Sequence, residues 1–318
     1  MSSRRDLQKS LRTNFNPGPR DRLNRIRLRA RQALHLPSLW MGGGLRNPVF
    51  IIGAPRSGTS LLYSILRTSS RFAHWPGEAH EVWEADFHPA LTGWESNILR
   101  RTDAYGLEAE RIRRSFFLVT GSRHRLIDKT PRNALRVAFI DEVFPDARFI
   151  FLKRDGRDNV NSLINAWRTP RYRTYALPEP HSLDGVDPRW WKFTLYPGWR
   201  DDADGPLEVV AARQWQLSNE HALDDLATVE EARRFEIAYE DLVDDPEVRA
   251  GELFEWLGLD YEAASRAEAF RSRSAPINVV TPPERGKWRR ENPDEIGAIV
   301  PLIAPTMKRL GYGDTDDQ

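Results

Sequence analysis

The run Val49-Phe50-Ile51-Ile52 leads directly into Gly53-Ala54-Pro55-Arg56-Ser57-Gly58-Thr59-Ser60, and Leu61, Leu62, Ile65 and Leu66 follow at helical spacing. A short, wholly apolar run is what a strand buried on both faces requires. A glycine-rich turn joining such a strand to a helix opens a phosphate-binding α/β unit. The turn nearly spells G-x-x-x-x-G-K-[ST], but Thr59 stands where the lysine belongs and the cation lies inside the loop, at Arg56. Consecutive backbone N–H groups and a helix N-terminus still form an anion cradle. What is lost is the lysine that reaches the β- and γ-phosphates of ATP. The second strongly apolar run, Phe149-Ile150-Phe151-Leu152, ends in Lys153-Arg154 and not in an acid that would hold magnesium. The loop is therefore expected to bind phosphate without magnesium–ATP chemistry. Taken alone, it would serve equally well as a tight turn with no ligand.

The rest of the chain repeats the alternation. Leu126-Ile127-Asp128 is a weaker strand; Pro131 then suits a first helical position, with Ala134, Leu135, Ala138 and Val143 on one face. Phe149–Leu152 leads through Arg154, Asp155 and Gly156 into a helix striped by Val160, Leu163, Ile164 and Trp167, and Phe235–Tyr239 is a further strand. Strands alternating with helices predict an α/β fold, a P-loop-type and mostly parallel sheet flanked by helices in three layers. Residues 170–207 are rich in Pro, Gly and aromatics, including Tyr172, Tyr175, Trp190, Trp191, Tyr196 and Trp199. A loop this long inside a compact domain is expected to be a cap with packing of its own.

Three segments differ in character. Residues 1–46 form a basic arm, with Arg4, Arg5, Lys9, Arg12, Arg20, Arg22, Arg25, Arg27, Arg29, Arg31 and Arg46 against Asp6 and Asp21. It is expected to be a solvated, partly disordered arm or, with 21–34 as a basic helix, to dock on the main domain or touch anionic lipid or polymer weakly. Residues 47–313 read as one α/β domain, and 314–318 as an acidic tail. Among the 318 residues there are 47 Lys+Arg against 46 Asp+Glu, so no nucleic-acid partner is expected. The absence of cysteine excludes disulfide scaffolds, cysteine nucleophiles and Cys-ligated metals. No apolar run approaches the ~20 residues of a membrane helix, and the basic start lacks a signal-type apolar stretch; a cytoplasmic location is the expectation.

Chemistry-bearing residues cluster after the strands. Lys129 follows a short strand, and carboxyl ends of strands in open α/β sheets are where ligands bind. Arg154 closes the second apolar strand, and Ser162, eight residues on, lies off the apolar stripe of the next helix. A guanidinium and a hydroxyl so placed could grip one phosphate from two sides. Glu78, His80 and Glu81 are candidate general bases in Trp75-Pro76-Gly77-Glu78-Ala79-His80-Glu81. His80, Glu84 and His88 have the i, i+4, i+8 spacing of a helical metal site, but Pro76 and Pro89 bracket them and no companion motif exists, so no metal is expected. Arg285-Gly286-Lys287-Trp288 is a basic loop able to close over an anion.

In this order, the pieces resemble the PAPS-dependent sulfotransferase family, whose donor is 3′-phosphoadenosine 5′-phosphosulfate. Pro55-Arg56-Ser57-Gly58-Thr59-Ser60 resembles the 5′-phosphosulfate loop, the Arg154–Ser162 pair the 3′-phosphate element, and Tyr239-Glu240-Asp241-Leu242 with Asp245-Pro246 a further family segment. Gly77-Glu78 and Lys129-Thr130-Pro131 are similar to elements of the tyrosylprotein sulfotransferase branch, though His80 stands where that branch has an arginine. The resemblance spans roughly residues 48–290. It implies sulfonate transfer from PAPS to an acceptor hydroxyl, with release of PAP. Glu78 would be the base, with Arg56 and Lys129 stabilising charge. Arg56, Ser57, Gly58, Thr59, Ser60, Arg154, Ser162, Tyr239, Ser274 and Lys287 would hold the donor. Residues 170–207 carry no likeness, so the acceptor stays open among sugar, lipid, phenol and peptide. The rival expectations are a degenerate P-loop kinase or NTPase and a non-catalytic nucleotide-binding protein.

Overall fold

The computed structural model describes residues 29–30, 32–38, 43–261 and 285–313. Its strands are β1 (Val49–Ile52), β2 (Phe72–Ala73), β3 (Arg125–Asp128), β4 (Arg148–Lys153), β5 (Tyr175–Ala176), β6 (Trp190–Trp191) and β7 (Arg234–Ala238). The α-helices that follow the helical stretch at 32–38 are α1 (Thr59–Leu66), α2 (His80–Trp83), α3 (Leu107–Thr120), α4 (Val137–Val143), α5 (Gly156–Arg168) and α6 (Trp199–Asp202). They continue with α7 (Leu207–Leu226), α8 (Tyr239–Asp244), α9 (Pro246–Trp256), α10 (Trp288–Glu291) and α11 (Pro293–Arg309).

Five strands form one sheet in the order β2-β3-β1-β4-β7. Every pairing in it is parallel. The apolar run of β1 takes the central position, and its alternation is used on both faces. Phe50 and Ile52 join the larger core with Phe149, Phe151, Val160, Ile164 and Trp215. Val49 and Ile51 join a second core with Leu62, Ile65, Ile150, Leu152 and Leu253. This two-sided burial is why β1 and β4 carry no polar alternation. From β1 the chain fills one side of the sheet with β2 and β3, then crosses to β4 and β7 on the other side. Such a reversal opens a crevice at the carboxyl ends of the strands.

Register aligns these ends. Phe50 lies opposite Asp128, so Lys129 emerges beside the last residues of β1, about 4.8 Å away across the sheet. On the other side Ile52 pairs with Phe151, and Lys153 pairs with Ala238. Arg154 and Tyr239 therefore leave their strands side by side.

Two expectations change in detail. The segment after β3 is not one helix: Pro131–Leu135 is a single tight 3₁₀ stretch, and α4 starts separately at Val137. The strand expected to reach Tyr239 stops at Ala238, and Tyr239 opens α8. Residues 170–207, expected as a cap, have local packing of their own. β5 and β6 form a short antiparallel ladder, and Trp191 sits 4.9 Å from the Trp199 ring and 5.2 Å from that of Trp167. No helix among the described residues is long and apolar enough to cross a membrane.

Candidate active site

The glycine loop is shaped by its neighbours. Gly53 packs so tightly that a Cβ there would meet the Leu152 carbonyl at 2.7 Å and Ser57 Oγ at 2.8 Å. Gly58 has φ +103°, and a Cβ would strike the Tyr239 ring. Asn159 on α5 donates to the Pro55 carbonyl at 2.9 Å, tying the loop to the next helix. Thr59 and Ser60 begin α1, where no preceding turn supplies carbonyls for their N–H groups. Ser57 Oγ is enclosed and has no hydrogen-bond partner. A buried hydroxyl left unpaired costs free energy that a bound acceptor recovers.

Arg154, Tyr239 and Ser162 gather around Arg56. The Arg154 guanidinium lies 4.4 Å above the Tyr239 ring, and its Nη1 donates to the Arg56 carbonyl at 3.0 Å. Its Nε is buried without a hydrogen-bond partner. Arg56 adopts φ +72°, uncommon for a residue with a side chain. Its Nε donates to Ser162 Oγ at 3.3 Å and its Nη1 to Tyr172 Oη at 3.1 Å. The sequence reading puts Arg56 and Ser162 at opposite ends of the donor, whereas here they touch. Burial lowers the affinity of Arg56 for its proton, with Arg154 and Arg171 nearby adding to the effect.

The second cluster lies at the end of β3. Lys129 is almost fully buried and its Nζ bonds Glu78 Oε1. The other oxygen of Glu78 is 2.8 Å from His80 Nε2. Burial alone would raise the Glu78 pKa, but the His80 bond and the Lys129 charge prevail and hold the carboxyl far below its usual range. His80 is held below its ordinary value by burial and then by the charge of Arg132. Fifty-one residues separate Glu78 from Lys129 in sequence. One hydroxyl brings them into register: Thr130 Oγ1 accepts from the Ala79 N–H at 3.1 Å and donates to Asp128 Oδ1 at 3.1 Å. Asp128 Oδ2 accepts from Trp83 Nε1 at 3.0 Å and Asn133 Nδ2 at 2.8 Å. This strand-end acid thus spends its oxygens on scaffolding. Burial pushes its pKa up to about 6 despite these bonds.

The other candidates divide. Glu81 accepts from Trp75 Nε1 at 2.9 Å and does not contact Glu78 or Lys129 in this arrangement. The helical spacing of His80, Glu84 and His88 never forms, because α2 ends at Trp83 and His88 instead caps the next turn. Glu84 Oε1 is taken by Arg132 at 2.5 Å, Arg136 at 3.5 Å and Tyr175 Oη at 2.8 Å. No group of three or more His, Asp or Glu placed to hold a metal occurs among the described residues. The basic loop is held by its backbone, since Gly286 N donates to Asp158 Oδ2 at 2.9 Å, while Lys287 Nζ lies 3.3 Å from Glu291. Ser274, the acidic tail and most of the basic arm lie outside the described residues.

Tyr172, Thr130, Asp128 and Asp158 were given no site role by the sequence. Asp128 and Thr130 flank Lys129 in Asp-Lys-Thr-Pro and could have been weighed with it. Tyr172 had no signal, since the cap has neither period nor motif.

Comparison with known proteins gives a consistent picture. A model described as the sulfotransferase family matches residues 48–190 and 187–263. The chain is 23% identical over 287 residues to protein-tyrosine sulfotransferase A of Caenorhabditis elegans, covering 83% of this chain and 67% of that one. It is 30% identical over 141 residues to the omega-hydroxy-beta-dihydromenaquinone-9 sulfotransferase Stf3 of Mycobacterium tuberculosis, covering 44% of this chain and 30% of the relative. In fold, it is similar to the sulfotransferase STF9 from Mycobacterium avium, with a TM-score of 0.55 and 16% identity over 89% of this chain and 81% of that one.

Proposed function

The chain belongs to the sulfotransferase family, and on that premise we propose that it transfers a sulfonate group from PAPS to an acceptor hydroxyl, releasing PAP, with Glu78 as the proton acceptor. The observation that carries the donor assignment is the pair of buried, unpartnered polar atoms, Ser57 Oγ next to Arg56 in the loop and Nε of Arg154, whose Nη1 donates to the Arg56 carbonyl. Both are suited to anions. The loop N–H groups of Arg56, Gly58, Thr59 and Ser60, with the Ser57 hydroxyl, would take the 5′-phosphosulfate. Arg154 and Ser162 would take the 3′-phosphate, with Tyr239 beneath the guanidinium, and Lys287 and Ser274 would close over the nucleotide. The donor supplies the sulfonate and carries away PAP as leaving group.

The acceptor oxygen forms its bond to sulfur as the bond from sulfur to the phosphate oxygen breaks, and its proton passes to Glu78. Lys129 and Arg56 stabilise the charge that accumulates on the bridging and outer oxygens, the role cations play in related phosphoryl transfers. These roles are coupled through the Glu78–Lys129 pair. As Lys129 turns toward the sulfonate oxygens it withdraws charge from Glu78, and the carboxylate becomes a better base at the moment a proton must be taken. Arg56 must likewise turn from Ser162 toward the sulfonate. Acceptors in the sugar, lipid, phenol and peptide classes all fit this scheme, since each offers a hydroxyl.

Calorimetry with PAP and with adenosine 5′-phosphosulfate tests the donor assignment. Arg154→Ala is expected to weaken PAP far more than the ligand lacking the 3′-phosphate. Equal weakening of both would remove the 3′-phosphate role, and an absence of heat with PAP in the folded wild type would remove the reading entirely.

A further inference from the structure

Glu78 is held at both oxygens, yet only one of its partners has been given a part in the transfer. Lys129 engages Oε1, and His80 Nε2 stands 2.8 Å from Oε2. A neutral imidazole facing a carboxylate must present its hydrogen, because two lone pairs would otherwise confront each other. Nε2 therefore donates and Nδ1 carries the lone pair. That Nδ1 is buried and without a hydrogen-bond partner. To become charged, the ring would have to place a proton on this enclosed atom beside the Arg132 guanidinium.

The surroundings fix the ring as well. His80 opens α2, and its carbonyl accepts from the Glu84 N–H at 2.9 Å. The charged groups facing the Glu78–His80 pair are Lys129 at the end of β3, Arg132 on the turn after it and Glu84 just past α2. Tyr63 on α1 is the titratable neighbour from the remaining side, kept neutral by burial and by the nearby charges of Asp128 and Glu78. In this setting His80 is a fixed, uncharged ring whose one N–H serves Glu78.

We propose that His80 is a positioning residue for Glu78: its Nε2–H holds the carboxylate oxygen that Lys129 does not, and so fixes the plane of the carboxylate when Lys129 swings away during transfer. Without it, the departure of Lys129 would leave Glu78 free to rotate at the step that requires its aim. This inference rests on the reading of Glu78 as the base. It assigns His80 no direct contact with the donor or the acceptor.

The test is a double-mutant cycle on the full chain. Turnover is read with radiolabelled PAPS against a mixed panel of a glucoside, a long-chain alcohol, para-nitrophenol and a tyrosine peptide, and PAP affinity is read by calorimetry. His80→Ala is expected to lower kcat on the order of 10–100-fold, a loss of aim at the reacting centre, with PAP affinity unchanged. His80→Gln, which offers an N–H at a similar reach, is expected to restore most of it. In the Glu78→Gln background His80→Ala should cost little more, because residues acting as a unit are not additive. Full additivity in the cycle, a parallel loss of PAP affinity, or wild-type turnover of His80→Ala would overturn the proposal. Near-normal turnover of Glu78→Gln alone would instead overturn the base assignment, so the two failures are distinguishable.

Discussion

At the scale of single residues, ionised Glu78 is stabilised at the expense of its own basicity. Lys129 and His80 hold it charged, so in the proposed role of base it would depend on Lys129 being drawn elsewhere. Glu78→Gln should leave PAP binding intact and lower turnover by about 10²–10⁴-fold, read as kcat beside a binding isotherm. Asp128 is the opposite case. Burial raises it from 3.8 to about 6, so folding favours its protonated form. That contribution is complete below pH about 4 and fades as the pH rises through about 6. Relative to Asp128→Asn, the wild type should gain up to roughly 3 kcal/mol of stability between pH 7 and pH 4. Urea unfolding at the two pH values measures it, and parallel profiles for the two proteins would refute the account. Sequence made Glu78, Lys129, Arg154 and Ser162 conspicuous because each follows a readable strand or loop. It could not show that Arg56 leans on Ser162, because a rotamer is set by what surrounds it and Tyr172 arrives from a segment without pattern.

At the scale of elements, the strand–loop–helix unit was legible because its physics is local: four apolar residues, glycines at the turn, and helical spacing beyond. The pairing of that unit with Tyr239 was not, since 181 positions separate Gly58 from the ring beneath it. Gly58→Ala combines a left-handed φ with a clash against the ring, and should abolish PAP binding or the fold itself; circular dichroism and calorimetry separate these outcomes. The cap is the element that sequence left shapeless. It is anchored by Tyr175, whose hydroxyl accepts from Asn97 at 2.6 Å and donates to Glu84 at 2.8 Å, with Arg132 4.6 Å from its ring centre. Tyr175→Phe strips one donor and one acceptor from this buried network and should cost about 1–3 kcal/mol. Faster proteolysis within residues 170–207, with the sheet still protected, is the accompanying sign; unchanged cleavage would show that the hairpin holds without the tether.

At the scale of the whole molecule, the mostly parallel α/β architecture followed from alternation alone, whereas the strand order did not. Short apolar runs carry no mark of which neighbour they will choose, and the crossing from β3 to β4 is decided by tertiary packing. The assembled site predicts a magnesium-independent response. PAP at about 100 times its Kd should add about 2.7 kcal/mol to stability, read as a rise of several degrees in Tm, and Mg-ATP should not match it. Deleting residues 1–40 should leave PAP affinity unchanged; a large loss would place the basic arm in the donor site.

The stacking of Arg154 and Gly58 on one ring has a consequence for synthesis. A chain emerging from the ribosome completes its glycine loop early and must wait for β7 and Tyr239 before that loop has a floor. On the proposed reading, nucleotide recognition would switch on late, and a truncation ending before residue 239 should be blind to PAP however well its first strands assemble.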